Sequence, residues 1–134
     1  PKRINGPVSF QILSPNKSSI GGNNDSIVFS TQLGGRHFLF TGDLEAEGEE
    51  QVLARYPQLK IDILKVGHHG SKTSSTKRFI KQLNPREALI SAGLNNRFKH
   101  PHHISDAGGA KNKLLSDRSS RNDLLSMVTL ARAF

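Results

Sequence analysis

The chain has 134 residues and 14.7 kDa, room for one domain, and only 34% of it is apolar, with no Trp, one Tyr and seven Phe. No apolar run approaches the ~20 residues that cross a bilayer, and the absence of Cys excludes disulfides, thiolate metal sites and thiol nucleophiles. The net charge of +8 is concentrated: residues 60–100 carry nine basic and two acidic side chains, against five and six in 1–59 and five and three in 101–134.

In chain order, Val8-Ser9-Phe10-Gln11-Ile12-Leu13 alternates apolar and polar residues, the pattern of a half-buried strand. Residues 14–25 are rich in Ser, Gly, Asn and Pro and read as a loop. Two β-branched and aromatic runs, 26–33 and 36–41, meet at Gly34-Gly35 and predict a hairpin. Leu44 to Arg55 predicts a helix. Its first turns are acidic, Leu44, Val52 and Leu53 supply a buried stripe, and Pro57 stops it. Ile61 to Val66 predicts a strand ending at Gly67. Ser74 or Ser75 caps a helix running to about Leu83, with Phe79, Ile80 and Leu83 inward, and Glu87 to Ser91 is a short strand. Asp123 to Phe134 reads as a short helix, because Leu124, Leu125, Val128 and Leu130 gather on one broad side. Strands and helices interleave, so the class is α/β or α+β, a mixed sheet with flanking helices.

Without Cys, a metal would be held by His, Asp or Glu. Three segments carry such side chains, each where a predicted strand gives way to a loop, as sites do in α/β folds. In Thr41-Gly42-Asp43 the glycine lets the chain turn and aim the carboxylate off the sheet. Asp43 suits a hard or borderline cation, or else it caps the helix that follows. In Gly67-His68-His69-Gly70-Ser71 adjacent histidines between glycines are poor core material. One ring can ligate a metal while its neighbour contacts substrate or carries a proton, and an ordinary polar turn is the plain alternative. Lys99-His100-Pro101-His102-His103, preceded by Asn95-Asn96-Arg97, joins donors for phosphate oxygens to further imidazoles, or is an exposed loop without a role. His37 lies in a hairpin strand beside Phe38 and reads as structural. The basic middle of the chain suits a polyanion, or is simply a solvated face. Neither a phosphate-cradling glycine motif nor a serine-hydrolase elbow is present, and Asp plus His without Cys points to hydrolysis assisted by one or two metal ions.

Asn24-Asp25-Ser26-Ile27-Val28, Phe38-Leu39-Phe40-Thr41-Gly42-Asp43, Leu64 to Ser74 and Asn95 to His102, in that order, resemble the metallo-β-lactamase-like domain of the ComEC family, the competence proteins that form the DNA-uptake channel of bacteria. The likeness covers roughly residues 8–103. It divides the chain into the C-terminal half of that domain, 1–103, and a divergent tail, 104–134, as a short helix or disordered. The resemblance implies a four-layer αββα sandwich, second half only. It implies two divalent ions, zinc or manganese, in the complete domain, and a piece that need hold none by itself. On the family pattern Asp43 bridges the two metals and the doublet supplies the last histidine ligand. His69 is the preferred ligand with His68 behind it or on substrate, and the reverse assignment is open. His100 and His102 fall near the cleft in phosphate contact or proton transfer, and Lys72, Arg97, Lys99 and Ser71 fall on the nucleic acid. The implied partners are single-stranded DNA, the rest of the same membrane protein (its channel domain and the upstream half of the hydrolase domain) and other competence proteins. The implied location is the bacterial cell membrane through the parent protein, with this piece outside the bilayer.

The departures shape the expectation. The family's main metal motif, His-x-Asp/His-x-Asp-His, occurs nowhere in the chain, and a third family position, often His, falls near Ser14, a poor ligand. Asp43 and one histidine make two ligands where an open catalytic zinc site takes three. The expectation is therefore part of a DNA phosphodiesterase, active in the parent and inactive alone. The competing expectation is a DNA-binding or assembly module of the channel that lacks chemistry, and a small-molecule esterase on the same fold ranks third. Pro1 in place of Met reads as the start of a piece of a longer protein.

Overall fold

Local pairing builds the first half of the sheet. The computed structural model describes residues 2–4, 6–16, 21–93 and 96–102, and the backbone of two further strands at 112–116 and 126–132. β1 (Lys2–Ile4), β2 (Phe10–Ser14), β3 (Val28–Leu33) and β4 (Arg36–Phe40) form an antiparallel meander, with Gly34-Gly35 at the expected hairpin turn. Two crossovers then make the sheet mixed. α1 (Ala46–Arg55) leads to β5 (Ile63–Lys65), parallel to β4, and α2 (Lys77–Leu83) leads to β6 (Glu87–Gly93), parallel to β5. β8 (Ser126–Arg132) pairs antiparallel with β6, and β7 (Asn112–Ser116) pairs with β8, giving the order β1-β2-β3-β4-β5-β6-β8-β7.

Strand alternation sorts the side chains onto two faces. Leu13, Val28, Leu39, Leu64 and Ile90 join Leu44, Val52, Leu53, Val66, Phe79 and Leu83 in one buried cluster beneath the two helices. On the other face Phe29 stacks on Phe40 at 4.7 Å between ring centroids and meets Phe10 edge-on at 5.5 Å, with Phe38 at 6.2 Å from Phe40. These four rings are only half-buried. The sheet is thus roofed by helices on one side and shows a phenylalanine layer on the other.

The two helices are joined through a buried acid. Glu49 of α1 is 1% exposed, and its carboxylate accepts the backbone N–H of Ser75 and that of Thr76, the latter at 2.9 Å. Burial pushes its pKa above the ordinary carboxylate value, with the accepted hydrogen bonds pulling the other way.

Two local expectations need correction. Neither Ser74 nor Ser75 is the N-cap of α2: Thr76 is, its Oγ1 accepting the N–H of Phe79 at 3.3 Å, while the two serines are taken up by Gly67. The short helix read over 123–134 is overturned at 126–132, which is β8. A pattern such as Val128-Thr129-Leu130 fits either period, and the seven-residue register with β6, a contact between distant parts of the chain, decides for strand. Segment 112–116 is also a strand, β7, and the rest of the tail, His103 and Asn95 lie outside the described residues.

Candidate functional site

The topology gathers the chemistry-bearing segments at one edge. β4, β5 and β6 run parallel, so Asp43, the His68–His69 doublet and the 96–102 loop all emerge at their carboxyl ends, where open α/β sheets place ligands. Antiparallel register puts Ser14, the last residue of β2, at the same edge.

Asp43 is presented by a turn that the Asn23-to-Ser26 segment holds from the side. Gly42 has φ 54°, and a Cβ built there would lie 2.9 Å from Ser26 Cβ. Ser26 Oγ accepts the N–H of Asp43 at 2.9 Å, and the N–H of Leu44 closes the turn on Thr41 O at 3.1 Å. Asn24 Oδ1 accepts the N–H groups of Glu45 and Gly48 at 3.0 and 3.1 Å and so caps α1 from 21 and 24 residues away. The helix begins after Glu45, and the Asp43 carboxylate takes no part in the cap. The capping alternative for Asp43 therefore fails, and its side chain, 47% exposed, faces the open edge. Gly42→Ala should cost about 1–3 kcal/mol, since a non-glycine left-handed residue is strained and Ser26 must also give way. Urea unfolding measures it, and an unchanged midpoint would show that the turn relaxes freely.

The histidine turn is tied on every side. His68 and His69 both have positive φ, 45° and 55°, a conformation that non-glycine residues seldom adopt and that persists only where surroundings impose it. The N–H of His68 donates to Gly42 O at 3.0 Å, that of Ser71 to His68 O at 2.8 Å, and that of His102 to Gly70 O at 2.9 Å. Ser74 Oγ donates to Gly67 O at 2.9 Å, and the N–H of Gly67 donates to Ser75 Oγ at 3.3 Å. Gly70, at φ 79°, lets Pro101 pack close: a Cβ there would lie 2.7 Å from Pro101 Cβ.

These ties aim the two rings differently. His69 Nδ1 lies 2.9 Å from Ser91 O; a carbonyl only accepts, so Nδ1 is the donor, and in the neutral ring Nε2 is left with the lone pair. That Nε2 is 4.0 Å from Asp43 Oδ1. Two donors on one zinc sit about 3.3 Å apart at ordinary tetrahedral bond lengths, so a small side-chain movement brings both onto one ion. His68 turns instead to Glu45, whose Oε1 is 3.5 Å from its buried Nδ1, an atom that makes no closer hydrogen bond. Glu45 Oε1 also accepts from Asn23 Nδ2 at 3.2 Å and Thr73 Oγ1 at 3.0 Å, contacts that hold its pKa below the usual carboxylate value. Among the described residues no group of three or more His, Asp or Glu side chains is placed to enclose a metal. Asp43 and His69 fit two positions of a metal site and leave it incomplete.

His100 bridges the doublet and the last loop. Its ring is 5.9 Å from that of His68, 5.1 Å from His102 and 5.7 Å from Phe98. Burial, and then repulsion from His102, His68 and His69, lowers its pKa below the usual histidine value. Lys72, Arg97 and Lys99 are exposed, and Ser71 Oγ is shared with Thr73 Oγ1 at 3.1 Å. His37 is exposed on β4, and its backbone is bracketed by Asp62.

Sequence reasoning missed Glu45, Glu49, Phe98 and Lys65. Lys65 ends β5 in register with Phe40 and Leu89, on the phenylalanine side, half-buried with Nζ 2.9 Å from Val66 O. Burial lowers its pKa, and the nearby Asp43 charge pulls it back up. For Lys65 the readable signal was a cation ending an apolar strand just ahead of the doublet; for Glu45, just before α1, and Glu49, buried within it, there was none in a segment that read as merely acidic.

Residues 15–93 match the Metallo-beta-lactamase superfamily. The chain is 50% identical over 96 residues, 71% of its length, to ComE operon protein 3 of Bacillus subtilis (strain 168), of which the match covers 12%. It is 46% identical over 95 residues to Recombination protein 2 of Haemophilus influenzae and 40% identical over 96 to Competence protein ComA of Neisseria gonorrhoeae, covering 70% of this chain in each case and 12% and 14% of those proteins. The chain thus spans about an eighth of the length of the curated relatives it matches. The chain belongs to the metallo-beta-lactamase superfamily, and within it is similar to the domain carried by competence proteins of the ComEC family.

Proposed function

We propose that this chain is the C-terminal half of a metal-dependent DNA phosphodiesterase domain, residues 1–103 with the tail beyond, within a bacterial membrane protein of DNA uptake. The observation that carries this reading is the approach of His69 Nε2 to Asp43 Oδ1 at the carboxyl edge of the parallel strands. In it, Asp43 and His69 supply two ligands and the rest of the parent protein supplies the others. A divalent ion there, zinc or manganese, contributes a Lewis-acid charge toward phosphate oxygens.

The remaining roles belong to this chain's own side chains. Ser91 O orients the His69 ring so that Nε2 faces Asp43, and Glu45 Oε1, 3.5 Å from His68 Nδ1, places a carboxylate beside the second ring. His100, whose charged form is disfavoured by burial and by the neighbouring imidazoles, stands beside His102 near the row of rings that leads to the site. Lys72, Arg97 and Lys99 neutralise backbone phosphates, and Ser71 offers a hydroxyl to them. No helix among the described residues is long and apolar enough to cross a membrane.

A non-catalytic DNA-binding module is favoured by one observation, the incomplete ligand set among the described residues. Labelled single-stranded DNA incubated with the whole protein and Mn²⁺ or Zn²⁺ separates the readings. Cleavage abolished by chelation supports the phosphodiesterase, and binding without cleavage at any metal supports the module. In either case affinity should fall steeply between ~50 and ~200 mM salt and flatten when Lys72 and Arg97 become Ala. A flat salt profile in the unaltered protein would remove the nucleic-acid assignment.

A further inference from the structure

The 96–102 loop holds an aromatic side chain out in solvent. Among the described residues the strongly exposed large apolar side chains are Ile4, Ile27, Leu33 and Phe98, and only Phe98, at 58%, is aromatic. Its exposure is built in, because Asn96 fastens the turn on both flanks. Asn96 Nδ2 donates to Gly93 O at 2.7 Å and His100 O at 2.8 Å, its Oδ1 accepts the N–H of His100 at 3.0 Å, and its own carbonyl accepts the N–H of Lys99 at 3.0 Å. These bonds fasten the backbone on either side of Phe98 with its ring outward.

The surroundings of the ring select a partner. The Arg97 guanidinium carbon lies 4.6 Å from the ring centroid, and Lys99 is exposed one residue on. An apolar protein surface docking on Phe98 would have to desolvate both cations. A polyanion with flat, stackable groups would satisfy the ring and the cations together. The ring also stands at the head of a row leading to the site: Phe98 to His100 at 5.7 Å and 26° between planes, His100 to His68 at 5.9 Å, His68 to His69 at 6.5 Å. An exposed cation–π contact is weaker than one stacked base, so Arg97 can leave the ring for a phosphate as a base takes its place.

We propose that Phe98 is a stacking platform for an unpaired nucleobase, which seats a single-stranded polynucleotide with its backbone along the histidine row and gives the site its preference for single over double strands. The proposal rests on the nucleic-acid reading above and adds to it a residue and a strand preference. Bases in a duplex have their faces covered by neighbours, so only an unpaired strand gains from the platform.

Fluorescence anisotropy with the whole protein tests it, using labelled oligothymidylate, the same oligomer with abasic sites throughout, and a duplex. Phe98→Ala should weaken oligothymidylate binding about 5- to 100-fold, Phe98→Trp should retain it, and duplex binding should not change in either variant. The unaltered protein should bind the abasic oligomer as weakly as Phe98→Ala binds oligothymidylate. Equal binding of the two oligomers by the unaltered protein, or full binding by Phe98→Ala, overturns the platform and leaves the nucleic-acid reading standing. Failure to bind any of the three probes overturns both.

Discussion

Asp43→Ala and His69→Ala should each reduce retention of Mn²⁺ or Zn²⁺ by the whole protein by more than about a hundredfold, because altering even the outer partners of a metal ligand costs 10–100-fold. Both should do so with little change in folding stability. Asp43 and His69 are about half exposed, at 47% and 55%, and the Asp43 carboxylate supports no backbone group. That combination separates a ligand from a structural residue. Metal content after dialysis and thermal unfolding, measured on the same samples, decide it. Unaltered metal content in both variants would sink the metal assignment, and a collapse in stability would show that the pair holds the fold instead.

The largest effect on stability is expected at Glu49. Glu49→Ala removes the carboxylate that accepts from the amides of Ser75 and Thr76 just before α2, and each such N–H left without a partner costs up to about 1–3 kcal/mol. A loss of about 2–5 kcal/mol in urea unfolding follows. A change within the ~0.5 kcal/mol typical of surface substitutions would mean that water replaces the carboxylate. Glu49→Gln should be milder, since it keeps the shape and one acceptor while relieving the buried charge. The acid also predicts a pH dependence. Because burial raises its folded pKa, the folded chain holds a proton that the unfolded chain releases between the ordinary carboxylate value and the raised one. Its contribution is therefore greatest at low pH and is lost as pH climbs through the folded value. Glu45, lowered by Asn23, Thr73 and His68, has the opposite sign: its contribution is present above the ordinary carboxylate value and fades as pH falls through the folded one. Glu49→Gln should flatten the first of these slopes and leave the second.

Much of the fold was legible because its signals are local. The hairpin at Gly34-Gly35, the stripe of Leu44, Val52 and Leu53, and the strand before the doublet each follow from period and punctuation within a dozen residues. The site's main residues were legible for a related reason: Asp43, His68 and His69 follow strand ends directly, and parallel pairing brings strand ends together whatever the intervening helices contain. What was not legible depends on distant partners. Asn24 rather than Asp43 caps α1 because the chain folds back over 21 residues, a contact no local propensity encodes. Glu49 looked like one more acid on a solvated helix and is instead the link from α1 to the start of α2. The strand at 126–132 reads equally well as helix until β6 is beside it.

The half-wet rings of Phe10, Phe29, Phe38 and Phe40 bear on how this protein is best dissected. Each ring keeps part of its area in water, which further apolar chain laid over it would remove. A longer piece of the parent that lays apolar side chains over those rings should therefore unfold at higher urea than residues 1–134 alone.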